Sequence, residues 1–282
     1  MALDCIIIGK GPAGISTAIY LKRYGFNPII IAKDGGALEN VKEIENYYGI
    51  EFITGPELLE IGYKQAKKFN IEIVNEEVLA LDKMENFQVK TNKKTYEAKT
   101  VVLASGASRN RYVKADKYEG VSYCATCDGF FYRKKKVALI GNSNYMAHEL
   151  EVLENICKEV IVFTDGKKLE ANINPNIRVV TEKINEIIGD ERIRAIKTDK
   201  EYEIDGCFVA IGNASGFTLA KHLGIALNNN SIIVDEKYMT NIGGLFACGD
   251  CIGGLMQVSK AVGDGAICAT AISAYLKGIN KQ

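Results

Sequence analysis

Tryptophan is absent from the 282 residues, and histidine occurs only twice, as His148 and His222. So few imidazoles leave little for a metal centre. A cysteine pair that bound zinc would need two further ligands at ordered spacing, and neither histidine stands beside a matching pair. Both histidines read as ordinary helix residues. Net charge is missing as well, with 35 Lys and Arg facing 35 Asp and Glu, so bulk charge points to no nucleic acid and no membrane as partner. No apolar run approaches the roughly 18 residues a spanning helix needs. A secretory leader is not expected, because Asp4, Cys5, Ile6, Ile7 and Ile8 already read as a core strand. Eight scattered cysteines form no evident structural disulfide framework, which fits a reducing, cytoplasmic setting. Repeats and low-complexity linkers are also lacking. At 47% hydrophobic and 25% charged residues, the remainder is the composition of a globular chain long enough for two domains.

The most legible chemistry lies between Val121 and Phe131, where Cys124 and Cys127 are separated by two residues and followed by Asp128. Such a pair can close a small disulfide ring and reopen it. At a helix start the dipole would lower the thiol pKa, giving a thiolate near neutral pH. Asp128 can deliver or remove the proton that thiol exchange requires. Zinc binding is the rival reading of the spacing, and redox chemistry is the favoured one.

Near the N-terminus the apolar run Cys5 to Ile8 leads into Gly9, Gly11 and Gly14, then into helical spacing from Ile15 to Tyr24. This is GxGxxG between a strand and a helix. Its glycines permit a tight turn and bring a pyrophosphate close to the helix N-terminus. Pro28 to Ala32 reads as the second strand; the acid expected at its end, to hold an adenosine ribose, is blurred into Lys33 and Asp34.

Further motifs make a family resemblance specific. They are Pro12 and Ala13 within the glycine turn, Gly35 and Gly36, the run Ile44 to Gly49, and Phe52 to Pro56 with the helix after it. Val101 to Ala107, Cys124 to Tyr132, and Gly244 to Asp250 complete the set. Together, over nearly the whole chain, they resemble the low-molecular-weight thioredoxin reductases. The resemblance implies an α/β fold of two Rossmann-like, doubly wound, three-layer domains, the second inserted into the first. Residues 1–112 and 212–282 would form the FAD domain and 113–211 the inserted CxxC domain. FAD would be held by Gly9, Gly11, Pro12, Ala13, Gly14, Gly36, Asn46, Gly106, Gly249, Asp250, Gln257 and Val258. It further implies that Cys127 faces the isoalloxazine, that Cys124 attacks the disulfide of thioredoxin, that Asp128 carries the proton, and that the protein is a homodimer.

In the insert the family pattern fails. Members that use NADPH read GxGxxA after the strand Val137 to Ile140. Here Gly141 survives, Ser143 replaces the second glycine and Met146 the small residue. Both side chains are expected to intrude on the nucleotide's space. After the next strand, Val160 to Phe163, Asp165 stands where relatives place a basic cluster for the 2′-phosphate, and it would repel that group. An acid there could instead take the ribose of NADH, and Lys167 and Lys168 could rescue a phosphate. A subset of the family lacks the NADPH motifs and takes electrons from reduced ferredoxin, and the chain resembles it. The energetics permit this: from about −400 mV to about −270 mV, two electrons fall by about 6 kcal/mol. Ferredoxin gives one electron per encounter and a disulfide needs two, so a flavin store has a reason to be in the path.

The alternatives are an NAD(P)H-dependent enzyme with a divergent nucleotide site, or a flavin-binding redox sensor without turnover. A ferredoxin would dock on a basic surface, and Arg109, Arg111 and Lys114 or the run Arg133 to Lys136 could supply one; the run reads more simply as a solvated turn. Cys248 and Cys251 form a second CxxC, better explained by the flavin role of Gly249 and Asp250. Cys5, Cys157, Cys207 and Cys268 read as small core residues.

Overall fold

The structure is a computed structural model that describes residues 2–107, 112, 114–212, 216–228 and 231–279. The chain divides into two compact units, residues 1–108 with 215–282 and residues 109–214. Tyr112 belongs to the second unit, whereas the sequence assigned it to the end of the first. The reason is local: its amide donates to the Tyr123 hydroxyl at 2.8 Å and its own hydroxyl to Asp165 at 3.0 Å.

In the first unit the isoleucine-rich strand Leu3–Ile8 lies between Pro28–Ile31 and Thr95–Leu103, parallel to both. Residues Cys5 to Ile8 are buried, as a run apolar on both faces demands. Glu72–Val74 extends this sheet at one end, and Leu245–Ala247 pairs in parallel with Thr95–Leu103. A further part was not expected: Val78–Lys83 and Phe87–Thr91 join Thr95–Leu103 as an antiparallel meander.

Helices Pro12–Arg23, Gly55–Lys68 and Val258–Ile279 all contribute to the core of this unit. Pro12–Arg23 begins with proline at its first turn, ends in Lys22 and Arg23, and stops before Gly25 at φ +89°; each feature suits its end of a helix. The long helix Val258–Ile279 packs against it through small residues. A β-carbon on Gly265 would stand 2.4 Å from the Ala13 carbonyl oxygen, and Ser16 Oγ donates to the Val262 carbonyl at 2.8 Å.

The second unit has a five-stranded parallel sheet in the order Arg178–Val180, Glu159–Phe163, Lys136–Ile140, Gly206–Val209, Val121–Ser122. Helix Asn144–Glu154 follows Lys136–Ile140. A separate three-stranded antiparallel sheet, Glu186–Gly189, Ile193–Lys197 and Glu201–Glu203, also lay outside the parallel expectation. Ile140, Ile161, Phe163, Ile187, Ile196 and Val209 share one core. One smaller expectation needs correcting. His222 lies just past the helix Gly216–Lys221, and its Nε2 meets Asp82 Oδ1 at 3.0 Å.

Candidate active site

Cys124 and Cys127 form a disulfide in the second unit, with Cα atoms 5.4 Å apart. The helix they start, Ala125–Asp128, is a single turn that passes into the 3-10 turn Gly129–Tyr132. One turn carries little of a macrodipole, so the dipole invoked from the sequence gives way to a direct contact. The amide of Cys127 donates to Cys124 Sγ at 3.2 Å, a hydrogen bond that would favour a thiolate at Cys124. Asp128 stands beside the pair, and Ser122 Oγ donates to its Oδ2 at 2.6 Å. Ser122 Oγ also accepts from the amide of Cys124 at 3.1 Å. The block is anchored by Tyr132, whose ring lies so close over Gly206 that a β-carbon there would stand 2.0 Å from it. Phe130 and Phe131, which follow Cys127 after Asp128 and Gly129, are 68% and 69% exposed.

Among the described residues no group of three or more His, Cys, Asp or Glu could hold a metal ion. Ser122 and Glu149 were missed as site residues from the sequence. Glu149 is buried on helix Asn144–Glu154, and its Oε2 accepts from the amide of Ala125 at 2.6 Å.

In the first unit the three turn glycines have different reasons. Gly9 has φ +118°, and a β-carbon there would lie 2.3 Å from the Ala104 carbonyl oxygen; one on Gly14 would lie 2.0 Å from the Gly9 carbonyl oxygen. These two are fixed by the chain's own packing. Gly11 caps the helix that Pro12 begins, and a β-carbon on it would meet nothing within 4 Å. The protein leaves that space open in front of free helix amides, where a pyrophosphate fits.

The second motif closes on the first, for a β-carbon on Gly249, at φ +79°, would stand 2.9 Å from Ala13 Cβ. Asp250 lies in the first turn of the 3-10 helix Gly249–Ile252. Gly36 (φ +72°) and Gly106 (φ +73°) border open space in the same way as Gly11. Asn46 Nδ2 donates to Gln257 Oε1 at 3.0 Å, next to Val258 at the start of the long helix.

A network not read from the sequence holds the Gly249 loop. Lys260 Nζ donates to the carbonyls of Gly249 and Gly253 and pairs with Asp264 at 2.8 Å. Asp264 Oδ2 also accepts from the amide of Gly249, and Oδ1 from the Tyr238 hydroxyl. The blurred acid after the second strand is resolved too. Asp34 Oδ1 accepts from the amide of Gly36, while Lys33 reaches the buried Glu77 at 3.5 Å. The residues present therefore fit a dinucleotide such as FAD.

The glycine turn of the second unit differs from the expectation in detail. Ser143 does not point into open space; its hydroxyl donates to the Gly212 carbonyl at 2.7 Å. Met146 is wholly buried and fills the seam beside Gly141, whose β-carbon would lie 2.8 Å from Met146 Cβ and Cγ. The segment after Glu159–Phe163 is tied to this turn by hydrogen bonds. Glu170 N donates to the Asn142 carbonyl at 2.8 Å, and Asn142 Nδ2 to the Lys168 carbonyl at 3.0 Å. The two oxygens of Asp165 accept from the Tyr112 hydroxyl and from Ile184 N. Burial and the Asp165 carboxylate raise the Tyr112 hydroxyl pKa well above its usual value. Lys167 and Lys168 are exposed.

Of the basic residues, Arg109 and Arg111 lie outside the described residues. Lys114 is exposed, and its Nζ donates to the Ile184 carbonyl at 3.0 Å. Lys136 pairs with Glu159 at 3.4 Å, while Arg133, Lys134 and Lys135 are exposed. Cys248 and Cys251 are buried free thiols; Cys251 Sγ donates to the Leu103 carbonyl at 3.1 Å, and burial pushes its pKa far up. Burial likewise pushes Cys5 and Cys207 up to about 12 and Cys157 up to about 11, which leaves them poor nucleophiles.

Residues 3–265 match the family model described as pyridine nucleotide-disulphide oxidoreductase. The thioredoxin reductase of Ureaplasma parvum serovar 3 is 33% identical over 298 residues, covering 97% of this chain and 96% of that protein. That of Aquifex aeolicus is 32% identical, over 99% and 94%. Among solved structures, the atypical thioredoxin reductase TRi from Desulfovibrio vulgaris Hildenborough superposes with a TM-score of 0.89 at 34% identity, over 98% of this chain and 99% of that one. A ferredoxin-flavin thioredoxin reductase from Clostridium acetobutylicum gives a TM-score of 0.75 at 32% identity, over 99% and 98%.

Proposed function

Since the chain belongs to the pyridine nucleotide-disulphide oxidoreductase family, among its thioredoxin reductases, we propose that it reduces the disulfide of a thioredoxin through Cys124 and Cys127, with FAD as cofactor and a reduced ferredoxin as electron donor. FAD supplies a store that takes electrons singly and gives them up in pairs. The chain's own residues handle the thiol chemistry. Cys124 Sγ, favoured as thiolate by the Cys127 amide, attacks one sulfur of the thioredoxin disulfide and forms a mixed disulfide. Cys127 then attacks Cys124 Sγ, which restores the internal disulfide and releases the thioredoxin dithiol. Asp128, steadied by Ser122, takes the proton from Cys127 and returns it to the thiolate that leaves in this second step, while the thiolate expelled in the first step takes its proton from solvent. The exposed Phe130 and Phe131 beside the pair provide apolar surface of the kind a protein substrate covers.

The observation that carries the choice of donor is the segment tied to the second glycine turn through Asn142, with Asp165 spent on Tyr112 and Ile184. A pyridine nucleotide would have to displace these hydrogen bonds to reach the turn. The name of the Clostridium acetobutylicum structure, ferredoxin-flavin thioredoxin reductase, points to the same donor. The exposed Arg133, Lys134 and Lys135 are among the basic side chains available to an acidic ferredoxin, and a homodimer is part of the proposal.

Anaerobic mixing tests it. Reduced ferredoxin should bleach the flavin absorbance and produce thioredoxin thiols, whereas NADPH and NADH should do neither. Turnover with either nucleotide would reassign the donor, and a flavin deaf to all three would favour a sensor. The variants Cys124→Ser and Cys127→Ser should each lose thioredoxin reduction while the flavin stays reducible.

A further inference from the structure

Helix Asn144–Glu154 turns Tyr145, Met146, Glu149, Leu150 and Leu153 inward. A carboxylate on that face is out of place unless something compensates it. Glu149 is 6% exposed, and its Oε2 accepts from the amide of Ala125 at 2.6 Å. Ala125 is fully buried and directly follows Cys124. The first amide of the redox turn is thus committed to a carboxylate from another helix, while the third, that of Cys127, is directed at Cys124 Sγ.

We propose that Glu149 is a positioning residue that governs how many protons the Cys124–Cys127 pair takes up when it is reduced; this rests on the disulfide-reductase reading above. Reduction adds two electrons, breaks the S–S bond and leaves two sulfurs that become two thiols with two protons, or a thiol and a thiolate with one. A negative charge held beside the turn opposes the thiolate that the Cys127 amide favours, and so raises the pH up to which two protons are taken up. The hydrogen bond from Ala125 favours the ionised form of the carboxylate against the opposing effect of burial. Other titratable groups on the surrounding elements have partners of their own. Asp128 accepts from Ser122, the Tyr145 hydroxyl donates to the Tyr123 carbonyl, and the Tyr123 hydroxyl donates to Asp116. Tyr132, its pKa raised by burial, lies by Arg192, and His148 by Glu151.

Glu149→Gln keeps the volume and an acceptor for the Ala125 amide but removes the charge. The test is anaerobic equilibration of the holoenzyme with dithiothreitol of known oxidised fraction from about pH 6 to about pH 9, with iodoacetamide alkylation rates over the same range. Dithiothreitol gives up two electrons and two protons as it closes to its cyclic disulfide. The wild type should take up two protons per disulfide through about pH 7.5. In Glu149→Gln the acid constant of the nucleophilic thiol should rise about tenfold, one pKa unit, and proton uptake at about pH 8 should fall toward one. Glu149→Asp, with the charge retained, should follow the wild type. Identical titrations for wild type and Glu149→Gln would overturn the inference. Should Glu149→Gln fail to hold its flavin, a wild type taking up a single proton at about pH 7 would overturn it equally. A wild-type pair that dithiothreitol never reduces would overturn the disulfide-reductase reading itself.

Discussion

At the scale of single residues, the glycine turn of the first unit separates two demands that one motif conceals. Gly9 and Gly14 are required by backbone contacts within the protein, whereas Gly11 borders space the protein leaves open. Alanine should therefore act differently at each. Gly9→Ala forces an L-residue to φ +118° with its β-carbon 2.3 Å from a carbonyl oxygen, and about 3 kcal/mol or more of stability should be lost. Gly11→Ala adds its methyl to empty space, so the apoprotein should melt within a degree or two of the wild type while FAD binds at least about tenfold more weakly. Circular dichroism melts and flavin fluorescence titrations decide it. If the Gly11→Ala variant bound FAD normally, the open space would not be a pyrophosphate seat.

At the scale of elements, strand Glu159–Phe163 and the turn after it bear on the donor most directly. Asp165 sits at φ +50° followed by Gly166 at +79°, and this left-handed pair lets one carboxylate reach both Tyr112 and Ile184. Asp165→Ala should cost about 2 kcal/mol, from two hydrogen bonds to a charged acceptor less what water restores. It should not confer NADPH oxidation, because Asn142 still binds the Lys168 carbonyl. Denaturant melts and an NADPH assay read the two outcomes, and a gain of NADPH turnover would show that Asp165 alone had barred the nucleotide.

The sequence announced Asp165, Ser143 and Met146 as departures from a nucleotide site, since each breaks a local pattern. It could not announce the loop tied to the turn, because that contact joins positions 26 residues apart through a side chain of no special type. Glu149 was hidden for the same reason, its partner being 24 residues away. The antiparallel sheet of the second unit was more accessible. Glu201, Tyr202 and Glu203 alternate exposed, buried, exposed, the period of a half-buried strand. Thr54 and Glu57 spell a capping box, and the structure has one at the start of Gly55–Lys68.

At the scale of the whole molecule, the chain leaves the first unit near residue 108 and re-enters it near 215. Leu245–Ala247 returns to pair with Thr95–Leu103, and Gly249 then lands on Ala13. The cradle is thus assembled from both ends of the sequence, with the second unit intervening. Every cradle residue described, from Gly9 to Val258, lies in the first unit. A ligand bound by those residues should stabilise that unit against opening by RT ln(1 + [L]/Kd), about 2.7 kcal/mol at about a hundredfold excess over Kd. Hydrogen exchange of the intact protein, stripped of flavin and then reloaded, reads this amide by amide. Protection should rise in Leu3–Ile8, Thr95–Leu103 and Leu245–Ala247, and stay unchanged in Lys136–Ile140 and Gly206–Val209. An equal rise in both sets would mean that the two units open as one cooperative body, and that the flavin's stabilisation is not confined to the residues that hold it.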